Sequence, residues 1–121
     1  MQVPILKQGD ILIASVQSAL SDSDLLQLRD DLVRQPGIHR SRGIIIDVTV
    51  LDVMDSFACR TLRTISDMIK LRGASTVIVG IQPEVAFSMV QLGLTIQNVD
   101  TALDLEEGLS LLKEKGSSGH E

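Results

Sequence analysis

GIIIDVTVLDVMDSFACRTLRTISDMIKLR, from Gly43 to Arg72, decides how this chain folds. It opens on Ile44-Ile45-Ile46, an uninterrupted β-branched run of the kind found in strands covered on both faces. It closes on a segment that is apolar at Ala58, Leu62, Ile65 and Ile69. Those spacings of four, three and four draw one stripe along a helix. A doubly buried strand that feeds an amphipathic helix is the repeating step of a parallel α/β sheet. Between the two lie Asp47, Asp52 and Asp55, with Ser56 in the helix N-cap position. Recognition in such sheets gathers where strands end and helices begin, so the serine is displayed at the edge where function is expected.

The same alternation extends in both directions. Upstream, Val3–Leu6 and Ile11–Val16 flank a Gly9-Asp10 corner, which reads as a hairpin, and Pro4 puts the first strand at a sheet edge. Ser21 with Asp24 three residues on is an acidic capping box, opening a helix that buries Leu25, Leu28 and Leu32 and stops at Pro36-Gly37. A basic loop, Ile38 to Arg42, leads into the central strand. Downstream, Gly73 stops the second helix and Ser75–Ile81 is another buried strand. Pro83 opens a third helix through Val85, Ala86, Met89 and Val90, ending at Gly93. Leu94–Ile96 is a weak strand or a bridging segment, and Thr101 with Asp104 starts a fourth helix whose apolar face is Ala102, Leu105, Leu109 and Leu112. The expected fold is α/β: a mostly parallel, mixed sheet with an N-terminal antiparallel edge hairpin and about four helices. Residues 1–115 form one domain, and Gly116–Glu121 is a Gly/Ser-rich flexible tail.

Composition narrows the function. The 121 residues carry a formal charge of −5, which disfavours nucleic acid and anionic membranes as partners. Phe57 and Phe87 are the whole aromatic complement, too few for a base-stacking platform. One cysteine rules out an internal disulfide and suits a reducing cytoplasm. MQVPILKQGD has no signal-peptide pattern, and no apolar run reaches the ~20 residues of a membrane span.

The chemical inventory is thin. His39 and His120 lack a second ligand at metal spacing, so the plain reading is two solvated surface histidines. No phosphate-binding glycine motif occurs, and no cofactor is implied. Cys59, near Arg60 and Arg63, is either a small core residue or a thiol activated at a helix start. Ser56 is either a plain helix cap or a phosphoacceptor facing free backbone N–H groups. The three aspartates are either a solvated rim or, with Ser56, the site of a small metal-dependent hydrolase. Against the hydrolase, no histidine or lysine lies between His39 and Lys70 to serve as a tunable base.

GIIIDVT, the Asp55-Ser56 pair that opens the next helix, GIQPEVAFSMVQLGL and ALDLEEGL resemble the STAS domain, the anti-sigma-factor antagonist fold of bacteria. The resemblance runs from about Pro4 to Lys113, and is nearest to single-domain scaffolds of the stressosome. It implies a non-enzymatic regulator in which Ser56 is the phosphoacceptor and Asp47, Thr49, Asp52, Asp55 and Arg60 complete the switch region. Thr49 occupies the region where co-scaffold relatives carry phosphorylatable threonines. The implied partners are an RsbT-like serine kinase, an RsbR-like STAS co-scaffold and an RsbX-like phosphatase, within a homo-oligomer or larger assembly. A more general antagonist that binds an anti-sigma kinase is the alternative within the family.

Overall fold

The computed structural model describes residues 3–35, 42–93 and 99–118. In chain order the elements are β1 (Ile5–Gln8), β2 (Ile11–Ser15), α1 (Asp22–Arg34), β3 (Gly43–Asp47), α2 (Ser56–Leu71), β4 (Ser75–Val79), α3 (Pro83–Gln91), β5 (Asp100–Ala102) and α4 (Leu105–Ser118). One five-stranded sheet has the order β1-β2-β3-β4-β5. β1 and β2 pair antiparallel across the Gly9-Asp10 corner, where Gly9 takes a φ of 60°, and all later pairs are parallel.

Each strand thus lies beside the strand before it, and the sheet grows in one direction. Right-handed crossovers in a sheet that never reverses put every crossover helix on the same face. The core follows that rule. Leu12, Ile44, Ile46 and Ile78 pack with Leu28 and Leu32 of α1, Leu62, Ile65 and Ile69 of α2, and Val85 and Met89 of α3. The opposite face, with Ile11, Ile13, Ile45, Val77 and Val79, packs against Leu105, Leu109 and Leu112 of α4. Ile44, Ile45 and Ile46 are each fully buried, as a strand covered on both sides requires.

Helix ends follow local chemistry. Ser21 and Asp24 form the complete capping box, with Ser21 Oγ accepting from Asp24 N at 3.1 Å and Asp24 Oδ2 accepting from Ser21 N at 3.0 Å. α3 has Pro83 in its first turn, but only Val85 and Met89 are buried, and Ala86 and Val90 face outward. Asp30 is paired with the adjacent Arg29 at 3.0 Å.

The fourth helix begins later than the Thr101/Asp104 spacing predicts. Thr101 and Ala102 belong to β5, paired with Ile78 and Val79, and Asp104 itself accepts the capping bond from Glu107 N at 2.9 Å. The edge pairing of β5 uses only three residues, a length too short to leave a periodic signal. α4 extends through Gly116 to Ser118, where a tail is expected from composition. Pro36-Gly37, most of the basic loop and the Leu94–Ile96 segment lie outside the described residues.

Candidate functional site

Parallel register aligns the carboxyl ends of four strands. Ser15, Asp47, Val79 and Ala102 stand side by side at that edge. The segment from Val48 to Asp55 leaves from the middle of the row and delivers the chain to α2. Val48, Leu51 and Met54 are buried and pin this loop to the core, while Val50 and Val53 are 52% and 73% exposed. Anchored residues recur at every third position with two outward residues between them, so the loop is held in place yet presents its polar groups and two valines to solvent.

Asp47 ends β3 and organises the turn that follows. Its Oδ1 accepts from Thr49 N at 3.0 Å and from Thr49 Oγ1 at 2.6 Å. Thr49 O in turn accepts from Gln82 Nε2 at 2.6 Å, which ties the loop to the start of α3. Gly80, with φ 80°, lets the two loops approach: a Cβ there would collide with the Thr49 side chain. Gly80 and Gln82 are thus part of the site, and the sequence reading missed them. A glycine inside the expected Ser75–Ile81 strand, which in fact ends at Val79, was the available signal.

At the head of α2 the structure corrects the sequence reading. The N-cap is Asp55, with extended backbone and Oδ1 accepting from Ala58 N at 2.8 Å. Ser56 is the first helical residue, half-buried, and its hydroxyl bonds to no other described residue. Adjacent Asp and Ser are both good caps, so spacing alone did not separate them. Asp52 is exposed in the loop and Arg60 is exposed one turn into α2.

The aspartates do not converge. No group of three metal-ligating side chains forms among the described residues. Asp47 is occupied by Thr49 and Asp55 by the helix cap. The sheet order never reverses, so the crevice that holds ligands in doubly wound sheets does not arise here. Cys59 packs in the core, and its thiol is pushed up from an ordinary value of 9.0, chiefly by burial and secondarily by the Asp55 charge. That is the environment of an inert packing residue. No described helix is long and apolar enough to cross a membrane.

A pinned loop at the carboxyl edge that delivers Ser56 to the head of α2, three helices on one face of a sequential mixed sheet and one on the other define a small α/β domain. The chain belongs to the STAS domain family, whose model matches residues 2–108. Its fold is similar to that of a serine-to-glutamate variant of Moorella thermoacetica RsbS, with a TM-score of 0.81, 34% identity, and 95% of this chain and 97% of that one covered. It is likewise similar to a chain described as part of the molecular architecture of the stressosome, a signal integration and transduction hub. There the TM-score is 0.74 and identity 32%, over 93% of this chain and 98% of the other. Among curated proteins, the RsbT co-antagonist RsbRA of Bacillus subtilis is 34% identical over 71 residues, 59% of this chain and 26% of that protein. This chain spans about a quarter of the length of that relative and of the related RsbRD, where the share is 24%.

Proposed function

We propose that this chain is a non-enzymatic regulatory scaffold of a stress-response partner switch. Unmodified, it holds an RsbT-like serine kinase within a stressosome-type assembly shared with an RsbR-like co-scaffold. The kinase transfers the γ-phosphoryl group of ATP to Ser56 Oγ, ADP departs, and the hydroxyl proton goes to a base on the kinase. Phosphorylation releases the kinase, and an RsbX-like phosphatase restores the starting state. The setting is the cytoplasm.

The observation that carries this reading is the division of labour at the head of α2. Asp55 caps the helix, which leaves the Ser56 hydroxyl uncommitted at the positive end of the helix dipole. A phosphate adds about −1.5 to −2 charges there. The helix terminus returns about 0.3–1 kcal/mol, and repulsion from Asp52 and Asp55 opposes it by a similar amount, so the free domain keeps its fold. A docked partner is affected far more, because covering a dianion strips it of water at a cost of several kcal/mol.

The test is a titration of the kinase against wild type, phosphorylated protein and Ser56→Asp at two salt concentrations. Phosphorylation is expected to weaken binding by about a hundredfold, or roughly 2.7 kcal/mol, and Ser56→Asp by less. Equal affinity for all forms overturns the switch.

A further inference from the structure

Ser56, Arg60 and Arg63 fall at i, i+4 and i+7 of α2 and form one stripe down its surface. Beside that stripe a groove of about 340 Å³ lies between α1 and α2, lined by Leu26, Arg29, Phe57, Arg60, Thr61, Arg63 and Thr64. Its volume is at the low end for small-molecule sites and suits a few side chains better than a whole cofactor. The chemistry is unusual for this chain. Among the described residues three guanidinium groups and no carboxylate line the groove, on a protein whose formal charge is −5. Arg29 is balanced by Asp30 at 3.0 Å, but Arg60 and Arg63 make no ion pair among the described residues. Leu26 is 37% exposed and Phe57 half-buried, so apolar surface accompanies the cations in the groove.

We propose that this groove docks an acidic, partly apolar segment of the kinase, and that phosphate on Ser56 acts on binding by claiming Arg60. The proposal rests on the reading of Ser56 as the switch. Charge complementarity selects the occupant: unpaired guanidinium groups lining a groove favour carboxylates, which they hold in bidentate geometry. The stripe supplies the coupling. A phosphoserine four residues before an arginine lies within reach of its guanidinium, and a dianion binds there more strongly than a carboxylate. Modification therefore removes a cation from the groove and sets negative charge on the same stripe of α2, one turn before Arg60, in one event.

The experiment titrates purified RsbT-like kinase against full-length wild type, Arg63→Glu, Arg60→Gln and Lys113→Glu, with Ser56 phosphorylation followed by intact mass in the same samples. Lys113 is an exposed residue of α4, on the opposite face of the sheet, and controls for total charge. Arg63→Glu is expected to weaken binding at least tenfold with an unchanged melting temperature, and Lys113→Glu to leave it within twofold. In Arg60→Gln, phosphorylation is expected to weaken binding by a smaller factor than in wild type. If Arg63→Glu binds like wild type, or if both charge reversals weaken binding equally, the groove is not the docking surface. Wild type phosphorylated on Ser56 beside an indifferent Arg63→Glu overturns the groove and leaves the switch standing. Wild type that binds through Arg63 but gains no phosphate overturns the switch and the role of Arg60, and keeps the docking surface. A duplex oligonucleotide and phosphatidylserine vesicles serve as further probes. Binding of either that is lost in Arg63→Glu, without an effect on the kinase, assigns the groove to a polyanion and overturns the proposal.

Discussion

Asp55 and Ser56 are neighbours with separate tasks, and single substitutions should separate them. Asp55→Ala removes the bond to Ala58 N and is expected to lower stability by about 0.5–2 kcal/mol in urea melts. Ser56→Ala removes no cap and should stay within about 0.5 kcal/mol of wild type. The reverse ranking would return the cap to the serine. Thr76 offers a second test at this scale. Its side chain is 3% exposed in the core, and its Oγ1 has no hydrogen-bond partner among the described residues. Valine has the same branched shape without the hydroxyl, so Thr76→Val is expected to raise stability by about 1 kcal/mol. A loss of stability would mean that the hydroxyl has a partner. For Cys59, a thiol held above its ordinary 9.0 is favoured in its protonated form by the fold. The stability it contributes is complete below about pH 9 and is lost as pH rises through the raised value. Thiol reagents should therefore label the native protein slowly at neutral pH, and Cys59→Ala should flatten the alkaline limb of the stability profile.

Among the elements, close approach is what position-by-position pattern reading misses. Gly108 lets α4 settle on the sheet: a Cβ there would stand 2.7 Å from a methyl of Val79. Gly80 does the same for two loops and carries a left-handed backbone as well. Gly80→Ala should cost about 1–3 kcal/mol, and the amide resonance of Thr49 should shift more than those of α4. An unchanged melting curve would show that the two loops are not locked together. The strongly periodic elements were legible in advance. The stripe of α2, the isoleucine run of β3 and the capping box of α1 each follow from residue type and spacing, and each is as expected. β5 was not legible, because Asp100-Thr101-Ala102 has no apolar alternation and gains strand geometry only by pairing with β4. At the site, residue types pointed to Asp47, Asp55 and Ser56. The contribution of Gln82 arrives from 33 positions away in sequence, beyond any local window.

For the molecule as a whole, the outer surface bears on assembly. Phe87 and Val90 of α3 are 64% and 79% exposed, and Leu103 beyond β5 is 81% exposed. Phe87 and Val90 fall at i and i+3 and share one face of α3, and an exposed apolar face favours association. We expect a dimer or larger species by size exclusion with light scattering at tens of micromolar, a range where weak contacts register. A monomer throughout that range would contradict the expectation. The unequal covering of the sheet also has a consequence for biosynthesis. Because each strand joins the one made just before it, the growing chain can add β2, β3 and β4 in turn, each as soon as its helical crossover has closed. Ile45, Val77 and Val79 nevertheless belong to the face that only α4 shields, and α4 is the last of these elements to leave the ribosome. Until then the nascent domain carries a bare, sticky plane, so the final helix sets the interval during which a chaperone is most useful.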